Sequence, residues 1–248
     1  MENINNDLLY SSSNSLPTAG RVNFNTTVTK DFPTNEAYKM LRTNILFCGK
    51  AVKTIVITSS HENEGKSTIS TEISKSLAEI EKKTLLIDAD MRKSVILKKN
   101  LKAQNIMGLS ELLSGQATIG QVLYNTQIPH FDVIFSGHFP PNPAELVSSA
   151  TFKTVLDKFK EVYDYIIIDS PPLIPVIDAS VISTQCDGAI IVIASGKTQY
   201  QEVSSTKEQL EKSGCRILGA ILNETDPKYS RSKYYKKNSY YYGNNVKR

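Results

Sequence analysis

Residues 53–68 read Lys-Thr-Ile-Val-Ile-Thr-Ser-Ser-His-Glu-Asn-Glu-Gly-Lys-Ser-Thr, and this stretch decides the fold. The β-branched run 53–58 is strand-like, and the segment 67–80 that follows carries Ile69, Ile73, Leu77 and Ile80 on one helical face. Between them lies a loop closing on Gly65-Lys66-Ser67-Thr68. In a phosphate-binding loop, backbone N–H groups and a helix N-terminus converge on phosphate oxygens, a lysine reaches the β- and γ-phosphates, and a hydroxyl serves Mg²⁺. Glu64, Gly65, Lys66, Ser67 and Thr68 are therefore the candidate nucleotide-binding residues. The strict pattern wants a glycine six residues before the lysine, where this chain has Ser60. The strand–loop–helix setting supplies the context that the spacing lacks.

Outward from this stretch the same grammar repeats. Apolar runs at 84–87, 133–135, 165–168, 188–193 and 217–222 alternate with helical segments at 107–113, 144–162 and 201–212. Continuous apolar strands between helices predict a doubly wound α/β domain with a mostly parallel sheet covered on both faces. Thr34 begins a further helix, with Ala37, Leu41 and Ile45 as its expected buried stripe and Glu36, Lys39 and Arg42 on another, solvent-facing side. Two more strands end in carboxylates: Leu85-Leu86-Ile87-Asp88-Ala89-Asp90, and Tyr165-Ile166-Ile167-Ile168-Asp169. Ligands of open parallel sheets lie beyond the carboxyl ends of the strands, so the loop and both acidic ends should face one crevice. Ser67, Asp90 and Asp169 suit Mg²⁺, which prefers a few carboxylates completed by phosphates and water. That leaves Asp88 to orient or deprotonate an attacking hydroxyl, or to serve as an outer partner of the metal.

The composition suits this reading. At 248 residues, with 40% hydrophobic and 22% charged side chains, the chain has room for a real core. Its apolar runs are too short to cross a bilayer, and the start lacks the pattern of a signal peptide. Three scattered cysteines suggest a reducing compartment. The expected location is the cytoplasm. Net charge is +4, but Lys228, Arg231, Lys233, Lys236, Lys237, Lys247 and Arg248 stand at the end with no acid after Asp226. Among them are six of the twelve tyrosines: Tyr229, Tyr234, Tyr235, Tyr240, Tyr241 and Tyr242. An acidic, nucleotide-loaded crevice would attract such a segment and offer its phenols as phosphoryl acceptors. The expected organisation is an arm at 1–33, a nucleotide-binding domain at 34–226 and a Tyr/Lys-rich tail at 227–248.

Together these features resemble the bacterial tyrosine kinases of capsular and extracellular polysaccharide synthesis. The likeness runs from about Glu36 to the C-terminus. It takes in the loop, the Asp88-Ala89-Asp90 motif with Arg92, the Ile168-Asp169-Ser170-Pro171-Pro172 strand end, the Pro140-Pro141-Asn142-Pro143 segment and the terminal tyrosines. The resemblance implies an ATP- and Mg²⁺-dependent kinase that phosphorylates those tyrosines on a neighbouring subunit. Asp88 would be the base, and Lys66, Asp90 and Asp169 the remaining catalytic residues. It also implies a homo-oligomeric ring, with an octamer as the suggested size, built through Glu36, Lys39 and Arg42; lysine replaces an arginine here and cannot reproduce its bidentate fork. Asn223 matches a position where related ATPases recognise adenine. The implied partners are a transmembrane adaptor of the polysaccharide co-polymerase type, which recruits the kinase to the inner face of the membrane, and an opposing tyrosine phosphatase, with no nucleic acid. Two other readings compete: a positional ATPase of the partitioning or division-site kind, and a non-catalytic nucleotide-binding scaffold. His61 counts against the first, since those relatives carry a signature lysine there.

Overall fold

A computed structural model describes residues 16–24, 32–100 and 106–225, without the side chains of 99 and 100. In chain order the elements are β1 (Gly20–Val22), α1 (Phe32–Phe47), β2 (Thr54–Ser59), α2 (Lys66–Ala78), β3 (Thr84–Asp88), α3 (Val95–Asn100), α4 (Leu109–Leu113) and α5 (Ile119–Val122). They continue with β4 (Leu123–Thr126), β5 (Phe131–Ile134), α6 (Pro143–Ser148), α7 (Ala150–Val162), β6 (Tyr165–Asp169), α8 (Asp178–Ser183), β7 (Gly188–Ala194), α9 (Tyr200–Lys212) and β8 (Ile217–Asn223).

The strands form one eight-stranded sheet in the order β1-β4-β5-β3-β6-β2-β7-β8. Every neighbouring pair is parallel except β4 with β5. The central strands β2, β3 and β6 are buried along their whole length, which explains why they read as unbroken apolar runs rather than alternating ones. Alternation survives in where the side chains go. Ile55, Ile57, Leu86 and Ile167 pack on one face against Ile69, Ile73 and Leu77 of α2 and Tyr38 and Ile45 of α1. Val56, Leu85, Ile87, Ile166 and Ile168 pack on the other face against Phe152, Val155 and Phe159 of α7, Ile182 of α8 and Leu210 of α9. The doubly wound expectation holds.

The structure departs from the sequence reading in several places. The stripe of α1 is Tyr38, Leu41 and Ile45, while Ala37 is exposed; a tyrosine ring buries apolar area that alanine does not have. The helix expected over 144–162 is two helices broken at Ser149, which takes an extended conformation and accepts the N–H of Phe152 on its hydroxyl at 3.3 Å. Within the stretch read as an arm, residues 20–22 extend the sheet beside β4 and Phe24 is buried against Phe131 at a ring separation of 5.3 Å. The tyrosines from Tyr229 to Tyr242 lie outside the described residues. Among the described residues no helix is long and apolar enough to cross a membrane.

Candidate functional site

Because β5, β3, β6, β2, β7 and β8 run parallel, their carboxyl ends share one edge of the sheet. Chain reversal after β2 is made by Ser60–Gly65, and Gly65 takes a left-handed φ of 92° just before Lys66 opens α2. That conformation favours glycine, and the space is closed as well, since an added Cβ would collide with the Asn223 amide. The first N–H groups of α2 are thus presented at the strand edge, where a helix N-terminus attracts anions.

The loop is braced on the α9 side. Ser60 Oγ and Thr206 Oγ1 lie 2.9 Å apart, His61 Nε2 and Glu202 Oε1 2.8 Å. Glu64 is buried; its carboxylate accepts the His61 N–H at 2.9 Å and the Thr198 hydroxyl. Asn223, at the end of β8, donates its side-chain amide to the Glu64 carbonyl at 3.0 Å. The side chain of Glu64 therefore holds the loop's shape, and any nucleotide contact from that position falls to its backbone. Asn223 is likewise a loop brace in this conformation. Sequence reasoning had no signal for the Thr198 and Glu202 contacts, because those partners lie 134 and 141 residues along the chain.

The structure brings Lys66, Asp88, Asp90 and Asp169 together. Asp88 and Asp169 are register partners at the ends of β3 and β6, and both are fully buried. One oxygen of Asp169 accepts the Ser70 hydroxyl at 3.0 Å, and the other, Oδ2, has no hydrogen-bond partner among the described residues. Burial pushes the Asp169 carboxyl up to about 6, against the Lys66 ammonium and the Ser67 and Ser70 hydroxyls, which pull it down. Asp88 is raised well above the ordinary carboxylate range, first by burial and then by the charge of Asp169; the Ser94 hydroxyl bonded to it acts in the opposite sense. The Asp90 carboxylate accepts the N–H groups of Arg92 at 3.3 Å and Lys93 at 2.9 Å, so it also turns the chain after β3. Arg92 forms a bidentate pair with Asp178 at 2.7 and 3.0 Å, and Lys93 reaches Glu62 of the loop. Both pairs tie the end of β3 to neighbouring connections.

The chemistry of this set suits a metal–nucleotide more than a bare metal. Among the described residues no three His, Cys, Asp or Glu side chains are grouped to hold an ion by themselves. An unpartnered, buried carboxylate oxygen beside a serine and a lysine at a helix start asks instead for a cation that brings phosphate oxygens with it.

The helix residues Glu36, Lys39 and Arg42 do not form one solvent-facing set. Lys39 pairs with Glu36 at 2.8 Å within α1. Arg42 turns inward onto α2, donating to the Ser76 carbonyl at 2.8 Å and approaching Glu79 at 3.5 Å. Its backbone position places it over the neighbouring helix, so its guanidinium is committed inside the protomer. This corrects the expectation that all three look outward.

An AAA-domain family model matches residues 52–214. The chain is 44% identical over 193 residues to tyrosine-protein kinase CpsD of Streptococcus agalactiae, covering 78% of this chain and 84% of the relative. Among solved structures it is similar to the chimerical protein CapA2B2, with a TM-score of 0.76 at 34% identity, covering 84% of this chain and 94% of that one. The septum site-determining protein MinD of Pyrococcus horikoshii, solved with Mg-ADP, is more distant: TM-score 0.58, 25% identity, 73% of this chain and 72% of the other.

Proposed function

The chain belongs to the bacterial tyrosine-protein kinase family and is itself such a kinase; on that premise we propose that it transfers the γ-phosphoryl group of ATP to its own C-terminal tyrosines, from one copy to another. The observation that carries this is the convergence of Lys66, Asp88, Asp90 and Asp169 at adjoining strand ends beside the phosphate loop. Kinship with tyrosine kinases favours it over the positional ATPase and the silent scaffold.

In this reading the N–H groups at the start of α2 and the Lys66 ammonium hold the β- and γ-phosphates, and Asn223 keeps the loop in the shape that does so. Ser67, Asp90 and Asp169 would hold Mg²⁺, which when bound neutralises charge on the phosphates. An acceptor phenol forms a new O–P bond as the bond from the γ-phosphorus to the β-phosphate oxygen breaks. ADP leaves, and the phenolic proton passes to Asp88. Its raised proton affinity suits it to that transfer. Asp88 is closed off by Ser94 in this conformation, so substrate entry must displace that hydroxyl.

The polysaccharide setting, the opposing phosphatase and the oligomeric ring extend this proposal from the family. So does the membrane adaptor, which the likeness to CapA2B2 supports and which would recruit the chain to the inner face of the membrane. The test mixes two full-length chains with ATP, Mg²⁺ and the adaptor's cytoplasmic segment. The donor has all six tail tyrosines changed to phenylalanine, and the acceptor carries Lys66→Met. Phosphotyrosine on the acceptor is expected; its absence, when the unsubstituted chain labels itself, would show that transfer occurs only within one chain.

A further inference from the structure

One cluster at the same sheet edge lies outside the candidate nucleotide-binding set. Beyond β5 the chain runs through Ser136, Gly137 and His138 to Phe139, and the start of α4 is stitched to it by Leu109 N–H to Phe135 O at 2.7 Å and Ser110 N–H to Ser136 O at 3.0 Å. Glu111 is buried beneath, accepting the Gly108 N–H at 2.7 Å, the His138 N–H at 3.2 Å and the His138 ring at 2.8 Å from Nδ1. Burial pushes the Glu111 carboxyl up, but these donors more than offset it and leave the group below its ordinary value. Gly137 has a left-handed φ of 78°, and neither it nor Gly108 has room for a Cβ. The hydroxyls of Ser110 and Ser136 are buried in the same knot without hydrogen-bond partners among the described residues. So rigid a mount carries an outward-facing pair, a His138 side chain 59% exposed and a Phe139 54% exposed.

We propose that His138 and Phe139 form the wall that seats the acceptor tyrosine offered by the C-terminal segment of a second copy of this chain. The inference rests on the kinase reading above. Its basis is the strand order. β5 borders β3, which ends in Asp88, on the side away from the phosphate loop. At about 4.8 Å per strand, β5, from whose end this segment runs, lies about 5 Å from the Asp88 strand and about 14 Å from β2. The pair therefore stands on the Asp88 side of the edge, with β3 and β6 between β5 and the strand that leads into the phosphate loop. An exposed phenylalanine offers a tyrosine ring an offset or edge-to-face partner. The acidic set Asp88, Asp90, Glu111 and Asp169 complements a segment with seven cations and no acid beyond Asp226. The second copy follows from the kinase reading, in which transfer runs from one copy to another.

The donor and acceptor chains described above test this. Phe139→Ala in the donor should raise KM for the acceptor chain about 3–10-fold, leaving KM for ATP and kcat within twofold, and Phe139→Trp should restore it. His138→Gln should also raise the acceptor KM. An unchanged acceptor KM in both variants, or a parallel rise in KM for ATP, would overturn the wall. If the donor without these substitutions transfers no phosphate to the acceptor, transfer between copies fails instead, and the two failures are distinguishable.

Discussion

Asp169→Asn should stabilise the nucleotide-free protein at neutral pH, against the usual expectation for a substitution in a buried polar cluster. The Asp169 carboxyl is raised from 3.8 to about 6 by burial. The folded state thus holds that proton more tightly than the unfolded chain does, and ionising the group works against folding. The cost grows as pH rises through about 4, is complete above about 6, and at about two pH units amounts to about 3 kcal/mol. Asparagine removes the charge and keeps an oxygen for the Ser70 hydroxyl. Because Oδ2 already has no hydrogen-bond partner among the described residues, the new amide nitrogen leaves one unsatisfied atom where there was one before. Relief of Asp88, whose carboxyl Asp169 also pushes up, acts in the same direction. For a domain of this size the gain corresponds to a rise in Tm of about 6–12 °C. Thermal denaturation in EDTA at pH 7.5 and at pH 4 reads it: a large gain at the higher pH that shrinks toward zero at the lower. A variant less stable than the parent at pH 7.5, or one whose gain ignores pH, would refute the reasoning.

Other perturbations follow from the same contacts. Gly137→Ala forces a side chain into a left-handed backbone already filled by Glu111 and Ser110, and should cost about 1–3 kcal/mol in urea denaturation; an unchanged midpoint would show that the knot can relax. Asn223→Ala removes the amide that braces the Glu64 carbonyl; it should lower stability by about 1 kcal/mol and weaken nucleotide binding in a fluorescent-ATP titration, and binding at parental affinity would reject a bracing role. Arg42→Ala should lower the Tm of the protein more than Lys39→Ala, because Arg42 bonds α2 whereas Lys39 pairs with Glu36 on the surface of its own helix. Equal effects would place Arg42 outside the protomer's own packing.

Most of the fold was legible because the central strands carry their burial in their composition. Runs such as 165–168 have no polar residue to confuse the reading, and the glycine-to-lysine transition at 65–66 marks where a strand hands over to a helix. Edges were less legible. The three-residue strand at 20–22 is polar on both sides of Val22 and exists because β4 offers it a partner about a hundred residues away. The division at Ser149 hides inside a continuous amphipathic pattern, since a serine fits a helix interior and an N-cap equally well by spacing alone. At the site, the sequence identified the acidic strand ends because carboxylates after apolar strands have a positional meaning in parallel sheets. The supporting pairs Arg92–Asp178, Glu64–Thr198 and Glu111–His138 are tertiary. Each joins residues with no shared periodicity, and only the folded chain brings them together.

The central claim, that one edge of the sheet gathers ATP and a tail phenol for direct transfer, is tested most directly by phosphosite mass spectrometry. The full chain would be incubated with ATP, Mg²⁺ and the adaptor's cytoplasmic segment, beside Lys66→Met and Asp88→Asn. The account predicts phosphotyrosine after Asp226 in the parent chain, none with Lys66→Met, and a fall of roughly 100-fold or more in rate with Asp88→Asn, from loss of a general base. Phosphotyrosine absent from the parent tail, or undiminished in Lys66→Met, would contradict it.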